Sequence, residues 1–123
     1  MTKYLLALLV LLAPAAAAQS AAAAGRWHTE FDTQVGAQKY DFVLKTDGAA
    51  PAATAKAEFQ GQSRDVVFKD VQVKGDTITF TENFEFQGNA VPITYRGVIA
   101  ADQIKFVRKV GDFATEEFVA KRQ

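Results

Sequence analysis

The chain is 123 residues long and carries 14 basic and 14 acidic side chains, ten phenylalanines and no cysteine. The lack of thiols excludes disulfide staples, thiolate metal sites and a lipid-modified cysteine. Balanced charge leaves no basic field for nucleic acid or anionic lipid, and the size suits one domain with its own core.

The opening residues, MTKYLLALLVLLAPAAAA, divide as a secretory signal does. Lys3 gives a positive start, 4–12 an apolar stretch, and Ala16, Ala17 and Ala18 a small-residue cleavage site. That stretch is too short to cross roughly 30 Å of hydrocarbon, so no membrane span is expected. The reading is therefore a signal peptide over 1–18 cut after Ala18, an alanine-rich flexible leader over 19–25, and a single domain over 26–123 in a secreted or periplasmic protein.

Beyond the leader the apolar residues recur every second position, with no helical period. A first strand over 26–35 sets Trp27, Thr29, Phe31 and Thr33 on one face, and a second over 38–46 does the same with Tyr40, Phe42 and Leu44. With Gly36-Ala37 as a two-residue turn, Phe31 would meet Phe42 and Thr33 would meet Tyr40. A weak third strand, 53–60, turns at Gly61-Gln62, which sets Phe59 against Arg64, Ala57 against Val66 and Ala55 against Phe68. The fourth strand runs on to Lys74, but its inward set changes parity from Val66 and Phe68 to Val71 and Val73. One extra residue near Lys69-Asp70, a β-bulge, accounts for that change and bends the strand.

In the second half, Gly75-Asp76 pairs Val73 with Ile78, and Gly88-Asn89 would pair Phe84 with Ile93 and Phe80 with Gly97. Links at 100–103 and 111–113 pair Ile99 with Ile104, Gly97 with Phe106, and Phe106 with Phe118. One face thus carries the row Phe80, Gly97, Phe106, Phe118, where a glycine leaves room for the flanking rings. The result is an all-β domain: an eight-stranded antiparallel up-and-down meander closing into a small lipocalin-like barrel, with a two-sheet β-sandwich as the alternative. Pro92, inside a strand with two neighbours, sits uneasily in that scheme.

Beside the phenylalanine row the inward positions are Glu82, Tyr95, Arg108 and Glu116, with Arg108 opposite both Tyr95 and Glu116. Charges so placed either satisfy one another, anchoring the last strands, or orient a ligand in a cup. These four residues and Trp27, placed at the barrel rim as a stacking surface, are the candidate ligand-binding residues. Glu82 and Glu116 do not suit a glycosidase pair, because Arg108 between them keeps both ionised. A lone outward His28, an isolated Ser63 and dispersed acids supply no nucleophile, metal set or cofactor site. Thr77, Thr79 and Thr81 form an outward ladder.

The segments EFDTQVGAQKYDFVLKTDG, VKGDTITFTENF and ITYRGVIAADQIKFVRKVGDFATEEFVAKR resemble a group of small secreted bacterial domains. Those domains occur alone behind signal peptides or appended to secreted carbohydrate-active enzymes. The resemblance implies an accessory, non-catalytic module acting near polysaccharide, and it carries no catalytic role onto any position here. The expectation is a binding module for a glycan or small apolar molecule. The alternative is a structural or protein-interaction domain of the cell envelope or of a secreted glycoside hydrolase.

Overall fold

The computed structural model describes residues 22–46 and 50–123. The segment expected as an export signal, 1–18, lies outside the described residues. Nine strands follow in chain order: β1 (Gly25–Thr33), β2 (Gly36–Lys45), β3 (Ala52–Phe59), β4 (Gln62–Val67), β5 (Lys69–Lys74), β6 (Thr77–Phe86), β7 (Asn89–Ala100), β8 (Gln103–Val110) and β9 (Ala114–Arg122). All belong to one antiparallel sheet in the order β4-β3-β2-β1-β9-β8-β7-β6-β5. This is an up-and-down meander whose first strand pairs its last, giving a nearly closed barrel rather than a two-sheet sandwich. Among the described residues, no helix is long and apolar enough to cross a membrane.

The strand count is nine rather than eight because the expected long fourth strand divides at Phe68. That residue buries its ring and donates its N–H to the Ala53 carbonyl at 3.0 Å. Below the break, the β5–β6 register slips between Lys69 and Gln72, with Asp70 at a φ of 55°. The extra residue lies where the parity change placed it. It swings the strand from β3 on one side to β6 on the other, which brings the two ends of the sheet together.

Three hairpin registers differ from expectation, each because the glycine does not lead the turn. In the first, Gln34 and Val35 turn the chain. The Thr33 hydroxyl accepts the Val35 N–H at 3.2 Å and donates to the Gly36 carbonyl at 2.7 Å. Phe31 therefore faces Gln38, Thr29 faces Tyr40, and Trp27 faces Phe42. In the others the turns are Gln60-Gly61 and Gln87-Gly88, with φ of 53° and 77°, and of 54° and 81°. Positive φ at both central residues matches the twist of the strands they join. The pairs become Ala57–Arg64 and Ala55–Val66 in one hairpin, and Phe84–Val91, Glu82–Ile93, Phe80–Tyr95 and Ile78–Gly97 in the other. The glycine row therefore reads Ile78, Gly97, Phe106, Phe118. Gly75-Asp76 does turn glycine-first, and the β7–β8 and β8–β9 registers are those expected.

Every misplaced pairing is shifted by an even number of residues, so no side chain changes face. The interior holds Trp27, Tyr40, Phe42, Phe80, Tyr95 and Phe106, all at most 2% exposed. Phe42 is a hub, its ring centroid 5.4 Å from Phe106, 5.5 Å from Tyr40 and 5.8 Å from Phe68. Phe68 and Phe80 lie 4.4 Å apart. Such pairs add about 0.5–1.5 kcal/mol each beyond the area they bury. Pro92 fits without loss: its carbonyl accepts the Gly111 N–H at 2.8 Å, and its missing N–H falls where the ladder gives way to the β8–β9 turn.

Gly97 is the tightest point of this packing. A Cβ there would come within 2.6 Å of Ile104 Cγ2 and 2.7 Å of Phe106 Cε1. Gly97→Ala is expected to cost about 1–3 kcal/mol through overpacking, read as a lowered midpoint in urea unfolding.

Candidate functional site

The four turns at 34–35, 60–61, 87–88 and 111–113 gather at one end of the barrel, and the start of β1, the end of β9 and the turns at 75–76 and 101–102 lie at the other. Just below the turn end, the aromatic interior gives way to a polar cluster. Glu82, 1% exposed, stands at its centre on β6. Its Oε1 accepts the hydroxyls of Tyr95 at 2.7 Å and Tyr40 at 3.2 Å, while its Oε2 accepts Arg64 Nη1 at 2.8 Å. Each tyrosine is backed by an arginine: Arg64 Nη2 donates to Tyr40 at 3.0 Å, and Arg108 Nη1 to Tyr95 at 3.1 Å. Glu116 closes the cluster, its Oε1 lying 3.1 Å from Arg108 Nε. That last contact is an ion pair without hydrogen-bond alignment, so both of those buried atoms lack a hydrogen-bond partner.

Two arginines and two glutamates leave the cluster formally neutral, which suits a low-dielectric interior. Burial opposes the charge on Arg108, but the oxygens of Tyr95, Tyr40, Glu116 and Glu82 more than offset it and raise the guanidinium pKa. Arg64 is raised in the same sense, burial being outweighed first by Glu82 and then by Tyr40. Burial chiefly lifts the Tyr95 phenol well above its ordinary range, with the Tyr40 and Glu82 oxygens adding to it, so Tyr95 remains a donor. The Arg108 guanidinium also lies 5.2–5.5 Å from the rings of Phe31, Tyr40 and Tyr95. Such cation–π contacts add to its retention when desolvated.

Glu82, Tyr95, Arg108 and Glu116 thus come together as the inward row implied, although Glu82 faces Ile93 across the ladder and reaches Tyr95 diagonally. Trp27 does not join them. It is fully buried near the opposite end, its Nε1 donating to the Ala23 carbonyl at 3.0 Å and its ring 4.2 Å from the Arg122 guanidinium. Arg122 also donates to the carbonyls of Ala22 and Ala24 and lies near Asp102, which ties this part of the leader to the barrel. Tyr40 and Arg64 are members that the reading of the sequence left out. Both fall on inward faces, and an inward arginine without a partner was the available signal.

Packed aromatic rings occupy the interior below the cluster, and three concavities among the described residues lie on the outer faces of the sheet. One of these, lined by Gln72, Thr79, Thr81, Thr94, Arg96 and Lys109, contains part of the threonine ladder. On another part of the outside, His28 pairs with Asp41 at 2.5 Å and approaches Glu30 at 3.4 Å, while Lys121 faces it from β9. Among the described residues, no cluster of three or more histidine, aspartate or glutamate side chains is set to hold a metal ion. Comparison with protein-family models, curated proteins and solved structures gave no match.

Arg108→Met is expected to cost on the order of 3–5 kcal/mol, because the Glu116 carboxylate, 13% exposed, and the buried Tyr95 hydroxyl lose their cationic partner; urea unfolding at neutral pH reads it. The outer pair supplies a pH test. The bond to Asp41, resisted in part by desolvation, raises the His28 pKa above 6.5. The stabilisation from His28 is therefore full below 6.5 and fades as pH climbs through the raised value. The melting temperature of the wild type should exceed that of His28→Asn by the most in acid, with the two converging at alkaline pH.

Proposed function

We propose that this chain is a secreted or periplasmic, non-catalytic binding module that meets a glycan or a small apolar molecule at the turn end of its barrel. The observation that carries the reading is the concentration of aromatic surface there. Phe113 is 77% and Phe86 56% exposed on neighbouring turns, with half-buried Phe31, Phe84 and Val110 packed below them against the core. Exposed rings of this kind present flat apolar faces on which sugar rings or short hydrocarbon can stack. Beneath them, Arg64 and Glu116 are the members of the polar cluster that retain solvent contact, with side chains 38% and 13% exposed. They are in place to meet a ligand hydroxyl at the mouth.

The filled interior favours contact at the mouth over engulfment, since an eight- or nine-stranded barrel has room for little beyond its own side chains. The non-catalytic part of the reading draws on Glu82, whose oxygens are already engaged by two phenols and a guanidinium, leaving neither free for proton transfer. The balanced charge of the chain gives no support to a nucleic-acid partner.

The test is thermal unfolding of the exported chain against panels of soluble glycans and fatty acids. A true ligand at a hundred times its dissociation constant adds about 2.7 kcal/mol of stability. Phe113→Ser should abolish that gain while shifting the unliganded protein by no more than about 0.5 kcal/mol, as suits an exposed side chain. Absence of any rise across both panels would refute the proposal.

A further inference from the structure

The barrel is closed at one end only. Between β1 and β9 the ladder is confined to Trp27–Arg122 and His28–Lys121. Between β6 and the bent strand it ends at Lys69–Thr81, because β4 pairs with β3 alone. Toward the turn end, therefore, β4 and the last residues of β6 face each other without a shared ladder. Side chains bridge this slot on its inner side: Arg64 binds Glu82 at 2.8 Å and lies 5.1 Å from the Phe84 ring.

Which backbone groups are free follows from the hairpin geometry. In a two-residue hairpin the residues flanking the turn exchange both hydrogen bonds, and every second residue then repeats the pattern. Gln62, Arg64 and Val66 thus bond to β3, as the Phe68 N–H to Ala53 carbonyl bond in the same phase shows. Ser63, Asp65 and Val67 direct their N–H and C=O groups into the slot. By the same rule, Phe86, Phe84 and Glu82 bond to β7, while Asn83 and Glu85 point their backbone groups toward β4.

We propose that the β4 edge, at Ser63, Asp65 and Val67, accepts an extended peptide strand that alternates apolar and basic side chains. Backbone pairing of this kind supplies affinity, and the alternate side chains supply selectivity. The outer walls of the slot carry Asp65 and Glu85, with Glu58 and Asp70 beside them, against Lys56 and Lys69; acidic groups outnumber basic ones. A basic residue on the outer face of the incoming strand would answer that imbalance. The apolar residues that alternate with it would face inward, toward the half-buried Phe84 and the Phe86 ring, which is 56% exposed. A second copy of this chain is disfavoured as the occupant, since two β4 edges paired about Asp65 would set like charges opposite each other. The proposal shares the Phe86 ring with the ligand reading for the mouth, but it rests on the unpaired backbone groups of β4, which that reading does not use.

The test is amide hydrogen exchange followed by NMR on the full exported chain, with a blocked Val-Lys-Val-Lys-Val peptide as probe and its glutamate counterpart as control. The lysine peptide should slow exchange at Ser63, Asp65 and Val67, leave Gln62, Arg64 and Val66 unchanged, and be favoured over the glutamate peptide. Asp65→Pro removes one slot-facing N–H without touching the β3 ladder, so it should keep the fold and lose the protection. Asp65→Lys keeps every backbone donor and should weaken the lysine peptide about three-fold or more relative to the glutamate peptide. Protection elsewhere, equal binding of the two peptides, or no protection at all would overturn the proposal. Should the proline variant not fold, the charge reversal alone decides.

Discussion

The turn end of this barrel depends on a single carboxylate. Glu82 joins β6 to β4 through Arg64, to β2 through Tyr40 and to β7 through Tyr95, so one side chain links three other strands. Two of those links cross the region where the sheet carries no backbone ladder. A β-barrel is ordinarily sealed by main-chain hydrogen bonds around its girth. Here the seal over the last turns of strand is made by side chains.

That division explains why the two ends are built so differently. Where the ladders close the ring, the interior is aromatic, with Phe42, Phe68, Phe80 and Phe106 packed on one another and Phe106 against Gly97. Where they do not, contacts across each seam take their place. At the β1–β9 seam the Thr29 hydroxyl donates to the Val119 carbonyl at 2.9 Å, and the Phe31 and Phe118 rings stack at 4.2 Å. At the other seam Arg64 spans the slot. Each contact satisfies or covers groups that would otherwise be buried without partners, and an unsatisfied buried donor or acceptor costs about 1–3 kcal/mol.

Much of this was legible in the sequence, and the reason is parity. Turn positions were misread at Gly36, Gly61 and Gly88, yet each error moved a strand by an even number of residues, so every inward side chain stayed inward. Alternation of apolar and polar residues is written directly into the chain, whereas the phase of a turn depends on which residue takes a positive φ. Gln60 and Gln87 take it beside glycines that could have done so alone, and nothing local marks them. The inward row from Glu82 to Glu116 was visible for the same reason. Its completion by Tyr40 and Arg64 was not, because those residues belong to the opposite half-sheet and meet Glu82 only after the bend at Phe68 folds the two halves together. Trp27 was misjudged for a related reason: a strand-end position implies a rim, but the leader and Arg122 fold over it.

The cluster also limits how the protein can engage anything else. A guest entering the barrel would have to separate Arg64 from Glu82 or Arg108 from Glu116, which would leave the buried Glu82 carboxylate or the buried Arg108 guanidinium short of a partner unless the guest supplied a replacement charge in the same place. Fatty-acid-like or uncharged guests bring no cation for Glu82. The aromatic floor below would also have to yield volume from a packed core. Contacts at the Phe113 and Phe86 rings leave the cluster intact and carry neither cost, and pairing along β4 engages backbone groups rather than the cluster's charges. The same bonds that hold the open end together therefore disfavour entry into the barrel, and both proposed contacts, at the mouth and at the unpaired edge, lie outside it.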